Sequence, residues 1–253
     1  MSVDHSQNII EVKNVSFSYG DKEVLKNITL NVHKGDYLGI MGPNGGGKTT
    51  LVKIMLGLLK PTSGKIFLFG QDIQKFSYWS KVGYIPQKAV NFDTNFPITV
   101  KEVVNMGRIG KRGLFHSLTD SDHAIVKKSL EQVDMWDLRN KIIGDLSGGQ
   151  QQRVFIAKAL AGQPEVIFLD EPTIGVDIKT QEEFYGLLKK LNQELHLTLI
   201  LVSHDIDVIT HETTEMACIN QTLIYDSNPK DFIKNDGLKK LYGAQVRLIL
   251  HNH

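Results

Sequence analysis

Residues Gly42-Pro43-Asn44-Gly45-Gly46-Gly47-Lys48-Thr49 are of the types, and at the spacing, that hold phosphate. They fit G-x-x-x-x-G-K-[ST] without a mismatch. The glycines let the backbone curl so that successive N–H groups converge on phosphate oxygens. A helix leaving the turn adds partial positive charge at its N-terminus. In such a turn Lys48 reaches the terminal phosphates of a nucleoside triphosphate, and the hydroxyl of Thr49, followed by Thr50, ligates the accompanying Mg2+. A glycine-rich turn with a surface lysine would not account for the complete motif. A second cluster, Asp170-Glu171, ends the apolar run Val166-Ile167-Phe168-Leu169. Burying that run as a strand delivers Asp170 to the sheet edge where phosphate sites of open α/β sheets lie. There it would hold Mg2+ through water, and Glu171, facing the other way, would orient and deprotonate an attacking water. Ser147-Gly148-Gly149-Gln150 offers a second anion site, a hydroxyl cap and two glycines at the start of a helix.

The elements that must position these groups follow from patterning. Ile9 to Tyr19 and Val24 to Val32 mix β-branched and polar residues, with a turn at Asp21-Lys22, and read as antiparallel strands. Tyr37 to Met41 is a short apolar strand feeding the phosphate turn, and Lys48 to Leu59 is the helix leaving it, broken by Pro61 to Gly64. Lys65 to Phe69 and Val82 to Ile85 are further strands. Between Val100 and Gly162 apolar residues recur at helical spacing in Val100 to Met106, His123 to Val133 and Gln150 to Ala161. Strand signals return at Val166 to Leu169 and Thr198 to Val202 around the helical stretch Lys179 to Leu195. That alternation predicts a parallel sheet covered by helices. Glu215 to Tyr242 reads as short strands and a terminal helix.

Bulk properties narrow the class. The chain has 253 residues, 41% of them hydrophobic, enough for a core with an inserted subdomain. Lys and Arg number 29 against 28 Asp and Glu, a net charge of +1, which argues against a broad nucleic-acid-binding surface. One cysteine, Cys218, excludes an intrachain disulfide and reads as a small buried hydrophobe in a reducing compartment. Met1 to Asn8 shows no signal-peptide pattern, and no apolar run approaches the ~20 residues that span a bilayer. The expectation is a cytosolic chain that reaches a membrane only through a partner. His251 and His253 at the tail are too few for a structural zinc site and are not counted as ligands.

With Leu146 in front, Ser147-Gly148-Gly149-Gln150 resembles the signature sequence of the ABC ATPases. The other elements of that family follow in order over nearly the whole chain. The resemblance implies a P-loop NTPase (RecA-like) α/β core with an N-terminal antiparallel β subdomain and an inserted α-helical signature subdomain. Residues 9–242 would form one ABC ATPase domain: 9–87 and 163–220 the core, 88–162 the helical part, with 221–253 a C-terminal tail. It also implies that Tyr19 stacks on adenine and that Gln87 senses Mg2+ and water and links to a membrane partner. Asp170 matches the Walker-B aspartate, Asp177 the aspartate contacting the opposite subunit, and His204 the histidine on the γ-phosphate. The loop Ile174-Gly175-Val176-Asp177 departs from the commoner family pattern, which has Ser and Leu nearby. The implied activity is hydrolysis of ATP, with Mg2+, in a head-to-tail homodimer where the signature of one copy closes over the γ-phosphate held by the other. The implied partners are integral-membrane permease subunits on the cytoplasmic face and, indirectly, an extracytoplasmic substrate-binding protein, with no nucleic acid.

Phe96-Pro97-Ile98-Thr99-Val100 followed by Val103 to Arg108 resembles ATPases of the zinc and manganese importers, as does Gly175-Val176-Asp177. Siderophore and cobalamin importers carry a similar Met-Gly-Arg stretch and are the alternative within the class. Outside it, ribosome-acting relatives usually have two cassettes, and DNA-repair relatives place a coiled coil before the signature. No sustained heptads occur between Gly57 and Leu146. An assembly factor without a permease is the remaining alternative.

Overall fold

The computed structural model describes residues 4–87, 97–113, 116–173, 176–229 and 232. In chain order the elements are β1 (Asp4–Tyr19), β2 (Lys22–Lys34), β3 (Tyr37–Met41), α1 (Lys48–Met55), β4 (Ser63–Leu68), β5 (Gln71–Asp72), β6 (Val82–Ile85), α2 (Val100–Asn105), α3 (Ile109–Arg112), α4 (Asp120–Gln132), α5 (Gly148–Ala161), β7 (Val166–Asp170), α6 (Ile178–Leu195), β8 (Thr198–Val202), α7 (Ile206–Glu212), β9 (Glu215–Asn220) and β10 (Thr222–Ser227). They divide into two units, one within 1–76 and 202–253, the other within 77–201. Ile174 and Gly175, the stretch Asn91 to Phe96, and the tail after 232 with its expected helix, His251 and His253 lie outside the described residues.

In the first unit Leu25, Ile28, Leu30 and Val32 of β2 are buried while most of their neighbours are exposed, as a strand with one face on a core requires. β2 pairs antiparallel with β1 and β1 antiparallel with β4, giving the order β2-β1-β4-β5. This is the expected antiparallel β subdomain. Every residue of β3 is buried, so it reads as an unbroken apolar run. β3 pairs parallel with β9, and β9 antiparallel with β10. The helix expected to run to Leu59 ends at Met55, because Gly57 takes a left-handed φ of 68° and turns the chain.

In the second unit β6 runs parallel to β7, from Val82 opposite Val166 to Ile85 opposite Leu169, and β8 follows in the order β8-β7-β6. All residues of β7 and β8 are buried. Val103 of α2, Val126 and Leu130 of α4, and Val154 and Ile156 of α5 form the core of the helical part. Thr99 opens α2 with a capping box to Glu102, and Thr119 opens α4 with one to Asp122. Arg108 binds this part together. Its Nε and Nη2 each lie 2.9 Å from Asp122 Oδ1, and its Nη1 donates to the Ala161 carbonyl at 2.7 Å. Arg112 takes the other Asp122 oxygen at 2.6 Å. Hydrogen bonds from the Thr119 N–H and hydroxyl, then from the two guanidinium groups, hold the Asp122 carboxyl well below the usual carboxylate range. No helix of the described residues is long and apolar enough to cross a membrane.

Candidate functional site

The phosphate turn sits in the first unit, and close backbone approach dictates its glycines. A Cβ on Gly42 would lie 1.9 Å from the Ile219 carbonyl oxygen at the end of β9. Gly47 has φ 100°, and a Cβ there would lie 2.5 Å from Leu25 Cδ2. The Gln221 N–H donates to the Gly46 carbonyl at 3.0 Å, and the Lys26 N–H to the Gln221 carbonyl at 2.7 Å. The end of β9 and the start of the β9–β10 turn thus back the loop. Sequence reading missed this support, because it depends on residues some 175 positions downstream of the turn (Gly46 to Gln221). Lys48 is buried, with its ammonium inside the curve of the loop on the carbonyls of Gly42, 2.8 Å, and Pro43, 3.2 Å. Pro43, Thr49 and Thr50 are half-buried, and Asn44 and Gly45 are exposed at the tip. Gly47, with no side chain to cap α1, occupies its N-cap. A turn closed to a Cβ at Gly42 and Gly47, which holds a cation within its curve and opens a helix, fits a polyphosphate.

Two further expected residues lie in this unit. Tyr19 is 52% exposed, steadied edge-on by the Phe17 ring at a centroid distance of 4.8 Å. His204 is exposed at the end of β8. Just before it, the Ser203 N–H donates to the Ile40 carbonyl at 3.2 Å, which ties the chain to β3, the strand feeding the turn.

The second unit holds the carboxylates. Burying each of Ile167, Phe168 and Leu169 contributes about 1.5–3 kcal/mol, which carries Asp170, 2% exposed, to the end of β7. Burial and, second to it, the Asp170 charge push the Tyr84 phenol above its ordinary pKa. Glu171 takes a left-handed φ of 48°. For a non-glycine residue that costs about 1–3 kcal/mol, a strain that clusters at functional sites. The turn parts Glu171 from Asp170 and sets its carboxylate against Gln87, whose Nε2 donates to Glu171 Oε2 at 3.0 Å. The structure thus brings together two residues separated by 84 positions.

Ser147 caps α5. Its hydroxyl accepts from the Gln150 N–H at 3.4 Å while Gln150 Oε1 accepts from the Ser147 N–H at 3.1 Å. Gly148 is exposed, and Gly149 is buried where a Cβ would strike Thr180 Cγ2 at 2.2 Å. Asp177 caps α6, accepting from the Thr180 N–H at 3.0 Å and the Thr180 hydroxyl at 2.7 Å. Those hydrogen bonds lower its pKa. Sequence reading stopped at Gln150 and missed the next two glutamines of the helix. Among the described residues no cluster of three His, Cys, Asp or Glu could hold a metal ion. Mg2+ takes hydroxyl, carboxylate and phosphate oxygens, and the half-buried Thr49 of the first unit and the buried Asp170 of the second each carry a donor of that kind.

Residues 25–174 match the family model described as ABC transporter. The chain is 45% identical over 224 residues to the zinc uptake system ATP-binding protein ZurA of Listeria innocua, covering 88% of this chain and 87% of that one. It is 40% identical over 198 residues to the high-affinity zinc uptake system ATP-binding protein ZnuC of Bacillus subtilis, covering 78% and 85%. Among solved structures it resembles the ATP-binding cassette MJ0796, a dimer in a post-hydrolysis state bound to ADP and Pi. The TM-score is 0.73 and the identity 31%, over 87% of this chain and 98% of that one.

Proposed function

The chain belongs to the ABC transporter family, and from that premise we propose that it is the ATP-hydrolysing subunit of an importer for a divalent metal ion, zinc or manganese. The observation that carries the hydrolytic reading is the Gln87 amide on the Glu171 carboxylate, directly after a buried strand ending in Asp170. Zinc comes first as cargo because the relatives named above are zinc uptake ATP-binding proteins.

In this reading Tyr19 stacks on adenine, and the loop from Gly42 to Thr50 wraps the phosphates with its N–H groups. Lys48 neutralises the terminal phosphates. Thr49, Asp170 and Gln87 would hold Mg2+, which when bound would offset the charge that develops on the leaving phosphate. Glu171 accepts the proton of the attacking water, and the Gln87 N–H fixes the orientation of the accepting carboxylate. His204 donates to the γ-phosphate as its charge shifts. Ser147, Gly148, Gly149 and Gln150 of a second copy close over the same phosphate, and Asp177 contacts that copy. Hydrolysis proceeds by direct attack of water, without a covalent intermediate.

Two ATPs then hold two copies head to tail, and their loss lets the dimer open. ATP must favour the closed state over the open one, since equal affinity for both would shift nothing. The chain itself attaches peripherally, on the cytoplasmic face, to permease subunits that take up the motion. An extracytoplasmic binding protein delivers the cargo to those subunits.

Purification of the tagged full chain from solubilised membranes of its source tests the reading. The expected result is recovery of a multi-spanning permease, with ATP-dependent uptake of labelled zinc when the complex is returned to vesicles. Recovery of non-membrane partners alone would replace transport with the assembly-factor alternative.

A further inference from the structure

Three consecutive glutamines open α5, and each amide has a different task. Gln150 closes the capping box with Ser147. Gln151, buried, donates to the carbonyls of Ile143 at 3.2 Å and Leu146 at 3.1 Å, which holds the segment leading into Ser147. Gln152 is 3% exposed and donates its Nε2 to the carbonyl of Pro172 at 2.5 Å. Its Oε1 is buried with no hydrogen-bond partner among the described residues. A leucine would fill this place without leaving a polar atom buried and unmatched. The amide therefore costs stability at one end for the sake of the contact at the other.

That contact falls one residue after Glu171. Proline has no N–H, so its carbonyl is what the backbone offers there to a grip. Two more carbonyls of the described residues that follow are held as well. Gln181 of α6 donates to the carbonyls of Thr173 at 3.3 Å and Val176 at 2.9 Å. At the far end Asp177 is fixed by Thr180, whose methyl bears on Gly149. Helix α5 thus meets the segment after Glu171 twice, at Pro172 directly and at Asp177 through Thr180.

We infer that Gln152 is a positioning residue for hydrolysis: it ties the helix carrying Ser147 to the backbone carrying Glu171. Seating Ser147 on a nucleotide held by the second copy then sets the carboxylate that acts on the nucleotide in Ser147's own copy. The inference rests on the roles proposed above for Ser147 and Glu171.

Two substitutions in the full chain test it. Gln152→Met keeps the volume and removes the donor; it should lower kcat about tenfold or more and leave KM for ATP within about twofold. Gln152→Glu restores a donor only when protonated, and burial raises the pKa of that carboxyl. Its kcat relative to wild type should therefore climb as pH falls from about 8 to about 5, at a temperature where circular dichroism shows both chains fully folded at every pH, so that loss of fold does not supply the change. Wild-type kcat in Gln152→Met, or a Gln152→Glu ratio flat across pH, overturns the inference. A sizing column run with ATP and Glu171→Gln separates the two levels. Failure of that variant to dimerise defeats the underlying reading, whereas dimers of it alongside wild-type turnover in Gln152→Met defeat only the Gln152 link.

Discussion

At the scale of single residues, two side chains proposed to carry the chemistry have neighbours that leave them little freedom. Lys48 lies inside its own loop, and Glu171 holds a strained backbone against the Gln87 amide. Cys218 shows the opposite use of burial. It stands on β9 opposite Met41, one residue before the Ile219 carbonyl that backs Gly42. Burial pushes its thiol up to about 12 from an ordinary 9.0. At pH 8 the thiolate is therefore far scarcer in the folded chain than in the unfolded one. A chromogenic disulfide reagent should leave Cys218 untouched in the native protein and label it promptly in denaturant. Labelling at the denatured rate without denaturant would mean that the strand behind the phosphate turn is not packed as described. The turn itself was legible from sequence because its spacing is local and its glycines and lysine are contiguous. Its backing by Ile219 and Gln221 was not, since no local pattern announces which distant carbonyl a loop will touch.

At the scale of elements, the apolar runs foretold β3, β7 and β8 because strands buried along their whole length need no alternation to be recognised. The helical part was legible as helices but not in what binds them. Val103 to Arg108 resembles the zinc and manganese importers, with its Met-Gly-Arg shared by siderophore and cobalamin importers, and the structure gives Gly107 and Arg108 a packing reason. A Cβ on Gly107 would lie 2.1 Å from the Lys158 carbonyl of α5, and Arg108 pairs with buried Asp122. Because the folded Asp122 carboxyl is held below its unfolded value, near 3.8, its stabilisation is fully present above that value. It is lost as pH falls through the folded value. Thermal melts of the wild type should therefore drop steeply in acid below about pH 4. Asp122→Asn should melt lower at neutral pH and show a shallower acid limb. Parallel acid limbs in the two proteins would exclude Asp122 as a source of the pH dependence.

At the scale of the whole molecule, the chain's activity belongs to an assembly. In the mechanism proposed above, the signature serine and the phosphate turn come from different copies, and the force reaches cargo only through a permease. Sequence points to partners through the resemblance of Leu146 to Gln150 to the family signature, a step that the capping box by itself does not supply. It could not reach the proposed cargo by chemistry, because in that reading the cargo passes through the permease; likeness to zinc uptake proteins carries the proposal. What every step requires is hydrolysis by Glu171. The most direct measurement is a single turnover of ATP labelled at the γ-phosphate, with Mg2+, by excess wild type and Glu171→Gln chains. The account predicts that both bind the nucleotide and that phosphate release by the variant is slower by about a hundredfold or more. Release at the wild-type rate by Glu171→Gln would contradict it.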